Sequence, residues 1–202
     1  MTSPIAAMTK LDAVNSMLAS IGQSPLNTIV GQLPIDGSKA VIALDTALRE
    51  VLNKGWSFNS DTEYLLTPSS GKIDIPSNAA YLDPSCGENY TARYDTSGTP
   101  GMRVYDNDDR SFDQFGTESV KFDIVWLFEF EQIPQHARSY VAAKAGRAFQ
   151  TGIIASQVLY EFTSVMEREA YATFRRVEKR TQDFNINKNS VAINRRRNPT
   201  RW

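Results

Sequence analysis

The sequence predicts an α+β protein: a bundle of four helices, an antiparallel β lobe inserted between the second and third, and an extended C-terminal tail. Three observations carry this reading. Apolar residues recur at helical spacing before residue 55 and again after 134. Between them the period shortens toward two, and short apolar runs are separated by Pro, Gly, Ser and Asn. Past residue 182 neither period continues. Two helices alone cannot bury both of their faces, so the simplest solution packs all four together, with the lobe leaving from one end. The expected divisions are 1–58 with 129–182 for the bundle, 59–128 for the lobe and 183–202 for the tail.

The first helix is expected over 9–22, with Leu11, Val14, Leu18 and Ile21 on one stripe. Thr9 and Asp12 have the spacing of a capping box, and Gly22 is a stop. The stretch "QSPLNTIVGQLPIDG" reads as a loop, whose Leu26, Ile29 and Val30 should pack on the body. The second helix, about 37–54, buries Val41, Leu44, Leu48, Val51 and Leu52. Asp45 with Arg49, and Glu50 with Lys54, stand four apart in the favourable order. Gly55 suits a left-handed residue closing that helix.

After "GWSFN" come six strand candidates: "EYLLT", "KIDIP", "AAYLD", "YTARYD", "MRVYD" and "SVKFDIVWLF". The turns between them are "PSSG", "PSN", "PSCGEN", "TSGTPG" and "DNDD", so four to six antiparallel strands are expected. Pro134 then opens a third helix. Its stripe of Ala137, Tyr140, Val141, Ala145, Ala148 and Phe149 is rich in small residues. "TGIIAS" ends it, and a fourth helix runs about 156–182 with Leu159, Phe162, Met166, Ala170, Phe174 and Val177 on one face.

Composition is that of an ordinary globular chain, 41% hydrophobic and 22% charged over 202 residues. The apolar runs are far shorter than the roughly 20 residues that span a bilayer, so no membrane contact is expected. "MTSPIAAMTK" lacks a charged region followed by an apolar one, so no secretory signal is expected. One cysteine, Cys86, and one histidine, His136, argue against a disulfide and a structural zinc site. The net charge of −1 is uneven. From 183 onward Lys188, Arg195, Arg196, Arg197 and Arg201 face only Asp183, a net of +4, which leaves −5 on the first 182 residues. A basic tail on an acidic body implies a partner of its own for the tail, while the body repels nucleic acid.

The candidates for chemistry are weak. "DNDDR", 106–110, is acidic enough for calcium, but an EF-hand loop beginning at Asp106 would need Gly where Ser111 stands and Glu where Thr117 stands. Glu129 and Glu131 offer the paired carboxylates of a glycan hydrolase, yet they fit a strand end or helix N-terminus equally well. Tyr90, Arg93, Tyr94, Arg103 and Tyr105 interleave rings and cations as single-strand nucleic-acid binders do, beside Asp95, Asp106, Asp108 and Asp109, which repel phosphate. Ser85, Cys86 and Gly87 would need a base to make a nucleophile, and His136 lies far along the chain. No phosphate-cradling glycine loop is present. No catalytic residue, metal or cofactor is expected.

The tail, "FNINKNSVAINRRRNPTRW", carries apolar anchors, Phe184, Ile186, Val191, Ile193 and Trp202, that a purely solvating segment has no use for. Extended, its nineteen residues reach roughly 60 Å. Composition fits a disordered tail and equally a segment that orders on a partner by strand addition or groove binding, with Arg195, Arg196 and Arg197 available to carboxylates or, as the rival, to DNA phosphate.

Four segments resemble one known family in colinear order: "AVNSMLASIGQSPLNTI" (13–29, with Gly22 and Pro25), "ALREVLNKGWSFNSD" (47–61, with Gly55, Trp56, Phe58 and Asn59), "LTPSSGKIDIPSNAAYLD" (66–83) and "FEQIPQHARSYVAAKAGRAFQ" (130–150, with Pro134). The chain resembles the tail tubular protein A family, head-to-tail adaptors of short-tailed bacteriophages, over about residues 9–180. The resemblance implies a structural virion protein without cofactor. It implies a dodecameric ring between the portal protein and the tail nozzle (tail tubular protein B), near the tail fibres, through which genomic DNA passes without sequence-specific binding. The helices would form the ring wall, the β lobe would face nozzle or fibres, and the C-terminal segment would reach the portal or a neighbouring subunit. A glycan hydrolase and a nucleic-acid-binding module are the alternatives.

Overall fold

A computed structural model describes residues 6–85, 87–153 and 157–181. It is a mixed α+β fold with the element order α1 (Lys10–Ser20), α2 (Ile35–Leu52), β1 (Ser60–Leu66), β2 (Ala79–Pro84), β3 (Tyr90–Asp95), β4 (Gly101–Asp106), β5 (Val120–Trp126), a short 3-10 turn (Phe130–Gln132), α3 (Gln135–Ile153) and α4 (Gln157–Thr181). The tail anchors, from Phe184 to Trp202, and Cys86 lie outside the described residues.

The α1 cap is the expected one. Thr9 Oγ1 accepts the Asp12 amide at 3.1 Å and the Asp12 carboxylate accepts the Thr9 amide at 2.9 Å. Two donors that the helix leaves orphaned are thereby satisfied. The buried face is Ala13, Val14, Met17 and Leu18, rotated from the expected stripe, so Leu11 and Ile21 sit at its margins. Gly22 is left-handed at φ +74° and its amide reaches Ala19 O at 3.0 Å. The following loop is tied down by Asn15, whose side chain makes both hydrogen bonds to the Leu26 backbone, 2.9 and 2.7 Å. Leu26 and Ile29 pack on the core as expected, but Val30 is exposed. Pro25 and Pro34 line a small cleft beside the α2 N-terminus.

Helix α2 begins at Ile35, two residues earlier than the periodicity suggests, because the Pro34 carbonyl accepts the Ser38 amide at 2.9 Å. Two of its acids, Asp45 and Glu50, do not pair along the helix. Asp45 pairs with Lys10 of α1 and Glu50 with Lys144 of α3, both at 2.7 Å. The carboxylates tie neighbouring helices together instead of bracing their own.

Helices α1, α2 and α3 share one core, to which α2 gives Leu44, Val51 and Leu52 and α3 gives Ala137, Val141 and Phe149. Ala148, expected on the α3 stripe, is exposed. Helix α4 packs chiefly along α3. Of its expected face, Phe174 is fully buried, Ala170 and Val177 are half-buried, and Phe162 and Met166 are exposed; Leu159 has no described side chain. The buried side chains of α4 thus lie in its C-terminal half, while Glu167 nearer the middle pairs with Arg147 of α3.

Among the described residues the β region holds five antiparallel strands in two separate sheets, ordered β1-β5-β2 and β3-β4. β5 is central and alternates, with Phe122, Ile124 and Trp126 buried. "KIDIP" forms no full strand. Ile73 O accepts the Val104 amide and the Ile75 amide reaches Met102 O, each at 3.0 Å, with one bridge between Asp74 and Arg103. Pro76 brings no amide donor, so the pairing stops there. A second core, Leu66, Ile73, Val104, Phe115, Phe122, Ile124 and Trp126, is distinct from the helical one.

Candidate functional site

The most distinctive motif of the sequence, Gly55 to Asn59, is the joint between helices and sheet. Gly55 is left-handed at φ +66°, and a Cβ there would stand 3.1 Å from Ser60 Oγ and 3.2 Å from Val125 Cγ2. Both conditions favour glycine. The chain then turns so that Trp56 Nε1 donates back to Val51 O at 2.7 Å.

Asn59 is buried, and its side chain is fully used. Oδ1 accepts the Trp56 amide at 2.8 Å, while Nδ2 donates to Leu52 O at 2.9 Å and Trp126 O at 2.8 Å. The Trp126 amide in turn donates to Asn59 O at 2.8 Å. One amide thus fixes the end of α2, the start of β1 and the end of β5. Only a side chain with both donor and acceptor can do this.

From the other side α4 locks the same joint. Phe174 meets Trp56 edge-on at 4.5 Å and stacks on Tyr140 at 5.3 Å, and Phe58 meets both Phe174 and His136 at 6.4 Å. Glu178 is buried, with Oε2 accepting the Ser57 amide at 3.1 Å and its hydroxyl at 2.7 Å, and Oε1 3.1 Å from His136 Nε2. Sequence reading misses Glu178. Its signal is an acid four residues after Phe174 on the apolar face of α4. Arg138 is missed as well. It donates to Ile133 O and Met8 O at 2.8 Å each, fastening the Pro134 turn to the start of α1. Pro134 itself accepts the Ala137 and Arg138 amides, opening α3.

The candidates for chemistry are occupied by structural bonds. Glu129 and Glu131 line a cleft of 560 Å³ with Asp45. Glu131 Oε1 accepts the Lys10 amide at 2.8 Å at the α1 N-terminus, and Asp45 is paired with Lys10 Nζ. Glu129 begins the 3-10 turn, its amide donating to Gln132 Oε1 at 2.8 Å. In "DNDDR", Asp106 Oδ1 accepts the amides of Asp108 and Asp109 at 2.8 and 3.2 Å, closing a turn.

The interleaved hairpin is similarly engaged. Arg93 lies over the Tyr105 ring at 4.0 Å and donates to Asn107 Oδ1. Arg103 bridges Asp74 at 2.7 Å and buried Asp95 at 2.6 Å, and Lys72 Nζ adds 2.9 Å to Asp95. The Ser97 hydroxyl and amide, with these two cations, hold the Asp95 carboxyl well below the usual carboxylate range.

What remains open is apolar surface. Along α4 Tyr160, Phe162, Val165, Met166 and Tyr171 are exposed, and Phe162 and Met166 border a groove of 490 Å³ between α1, α3 and α4. On α2 and the loop before it Val30, Ile35 and Ile42 are exposed, and on the strands Tyr64, Leu65, Tyr81, Tyr94 and Met102. Among the described residues no helix is long and apolar enough to cross a membrane. The arrangement is a hydrogen-bonded scaffold with several uncovered apolar faces.

Residues 11–184 match a family model described as tail tubular protein. A relative, the tail tubular protein A of Klebsiella phage KP34, is 30% identical over 136 residues, which is 67% of this chain and 68% of the relative.

Proposed function

The chain belongs to the tail tubular protein family, structural components of bacteriophage tails, and on that premise we propose that it is the head-to-tail adaptor. It forms a ring, dodecameric by the family resemblance, between the portal and the tail nozzle, around the channel that DNA crosses. Residues 1–58 with 129–182 serve as a four-helix wall, 59–128 as the lobe facing nozzle or fibres, and 183–202 as the arm to the portal or a neighbour. The role is structural and needs no cofactor.

The observation that carries this reading is the combination of a locked joint with bare apolar faces. Asn59 and Glu178 fix helices to sheet, while α2, α4 and both sheets leave large hydrophobic side chains uncovered. Exposed apolar patches of this kind mark protein contacts. The net of −5 over residues 1–182 suits a channel in which DNA must slide without sticking. In the arm, Arg195, Arg196 and Arg197 pair with acidic groups of the portal and Trp202 fills a pocket. Electron microscopy of portal rings incubated with the protein tests the proposal. An added ring on one portal face is the expected image; bare portals at saturating protein would contradict it.

A further inference from the structure

We infer that the ring contact is heterologous and uses two faces of the described body. The exposed ridge of Val30, Ile35 and Ile42 on one copy seats in the α1/α3/α4 groove bordered by Phe162 and Met166 on the next. This rests on the ring reading above and names the surfaces that build it.

A closed ring with one kind of contact needs two different, mutually complementary patches on each chain, whereas a two-fold dimer reuses one patch. The helical part carries two such patches on different helices. Ile35 is 75% and Ile42 65% exposed, seven residues apart on the face of α2 turned away from the core. Phe162 is 65% and Met166 52% exposed at the groove.

The dimensions agree. Ile35 and Ile42 stand roughly 10 Å apart along α2. The α3 wall of the groove, Ser139 to Gln150, is roughly 16 Å long. Its floor includes Ser20, Ala142 and Gly146, small enough for a ridge of side chains to enter. With 150–250 Å² for an aromatic side chain and less for an aliphatic one, the exposed fractions amount to roughly 230 Å² for Phe162 with Met166 and roughly 350 Å² for Val30, Ile35 and Ile42. That supplies the apolar centre of an interface of about 1,600 Å² in total.

The flanking charges also match in sign. On α2, Lys39 lies between the two isoleucines; along α4, Glu161 and Glu169 flank Phe162 and Met166. The Lys39 cation on one face thus has carboxylates to meet on the other.

The test uses the full chain carrying Cys86→Ser, with Ile42→Cys and Met166→Cys introduced singly and together. After assembly on portal rings and oxidation, the double variant should give covalent species larger than dimers. Each single variant should stay monomeric, and a mixture of the two singles should stop at dimers. Covalent dimers from Met166→Cys alone, in the yield of the mixture, would overturn the contact in favour of α4 against α4.

Because a disulfide also needs favourable geometry, Ile42→Asp and Met166→Asp are measured beside it. Each should leave the melting temperature of the free subunit unchanged and cut the subunit retained on the portal at least ~tenfold. Unchanged retention for both, with no cross-link from the double variant, would overturn the inference. If the wild-type protein places no ring on the portal, the adaptor reading itself falls. If it does and these variants behave like wild type, only this contact falls.

Discussion

Glu178, near the end of α4, accepts two hydrogen bonds from Ser57, 121 residues earlier in the chain, at 2.7 and 3.1 Å. The same carboxylate meets the lone histidine, His136, at 3.1 Å. Helix α4, which is exposed along much of its length, is thereby clamped at one end to the joint between α2 and β1.

Glu178→Ala should therefore destabilise the protein by about 1–3 kcal/mol, because the half-buried Ser57 amide and hydroxyl lose their charged acceptor. Denaturant unfolding measures the loss. Protease cleavage within α4 should rise in parallel, since the clamp and Phe174 are its main anchors.

Asn59→Asp should be as costly as Asn59→Ala, about 2–3 kcal/mol or more. The aspartate keeps the acceptor for Trp56 but turns oxygens toward Leu52 O and Trp126 O, which now lack a donor. Fluorescence of Trp56 and Trp126 during unfolding reports it. A variant of wild-type stability would show that this joint is not where helices and sheet are tied.

Asp95 predicts an acid-sensitive β3–β4 hairpin. Its folded carboxyl is held well below the unfolded value, so its contribution is fully present above about pH 4, the ordinary carboxylate range, and is lost as pH falls toward the folded value. Asp123, lowered by the Glu63 amide and the Ser85 hydroxyl, acts in the same direction. Asp95→Asn should destabilise the protein at neutral pH, with the difference from wild type narrowing below pH 4. Stability measured for both across that range checks it; a constant difference would contradict it.

The acidic body should not hold DNA. Any mobility shift of duplex DNA by the full chain should disappear when the chain ends at Gln182, and should fade steeply with salt. Binding retained by the truncated chain would favour the nucleic-acid-binding alternative.

Much of the helical scaffold was legible because local signals and tertiary packing agree there. The Thr9–Asp12 cap, the left-handed Gly22 and Gly55, and the α2 and α3 stripes are all decided within one or two turns of chain. What was not legible depends on distant partners. Asp45 and Glu50 have good neighbours along α2, yet Lys10 and Lys144 on other helices take them. "KIDIP" has strand composition, but only contact with β4 determines how little of it pairs. The periodicity of α4 is real, while its cover is not supplied by this chain's described residues, so Phe162 and Met166 read as core and stand in solvent. Sequence reading singled out "GWSFN" as a motif without its mechanism, because Asn59 and Ser57 act through Trp126 and Glu178, 67 and 121 residues away.

The central claim is that this protein is the ring that joins portal to nozzle, and co-sedimentation with the cognate portal tests it most directly. Run with the full chain and with a chain ending at Gln182, the account predicts near-stoichiometric binding by the first, about one subunit per portal subunit, and loss of binding by the second. Binding by both would keep the adaptor and move the contact from the arm to the body. Binding by neither would contradict the account.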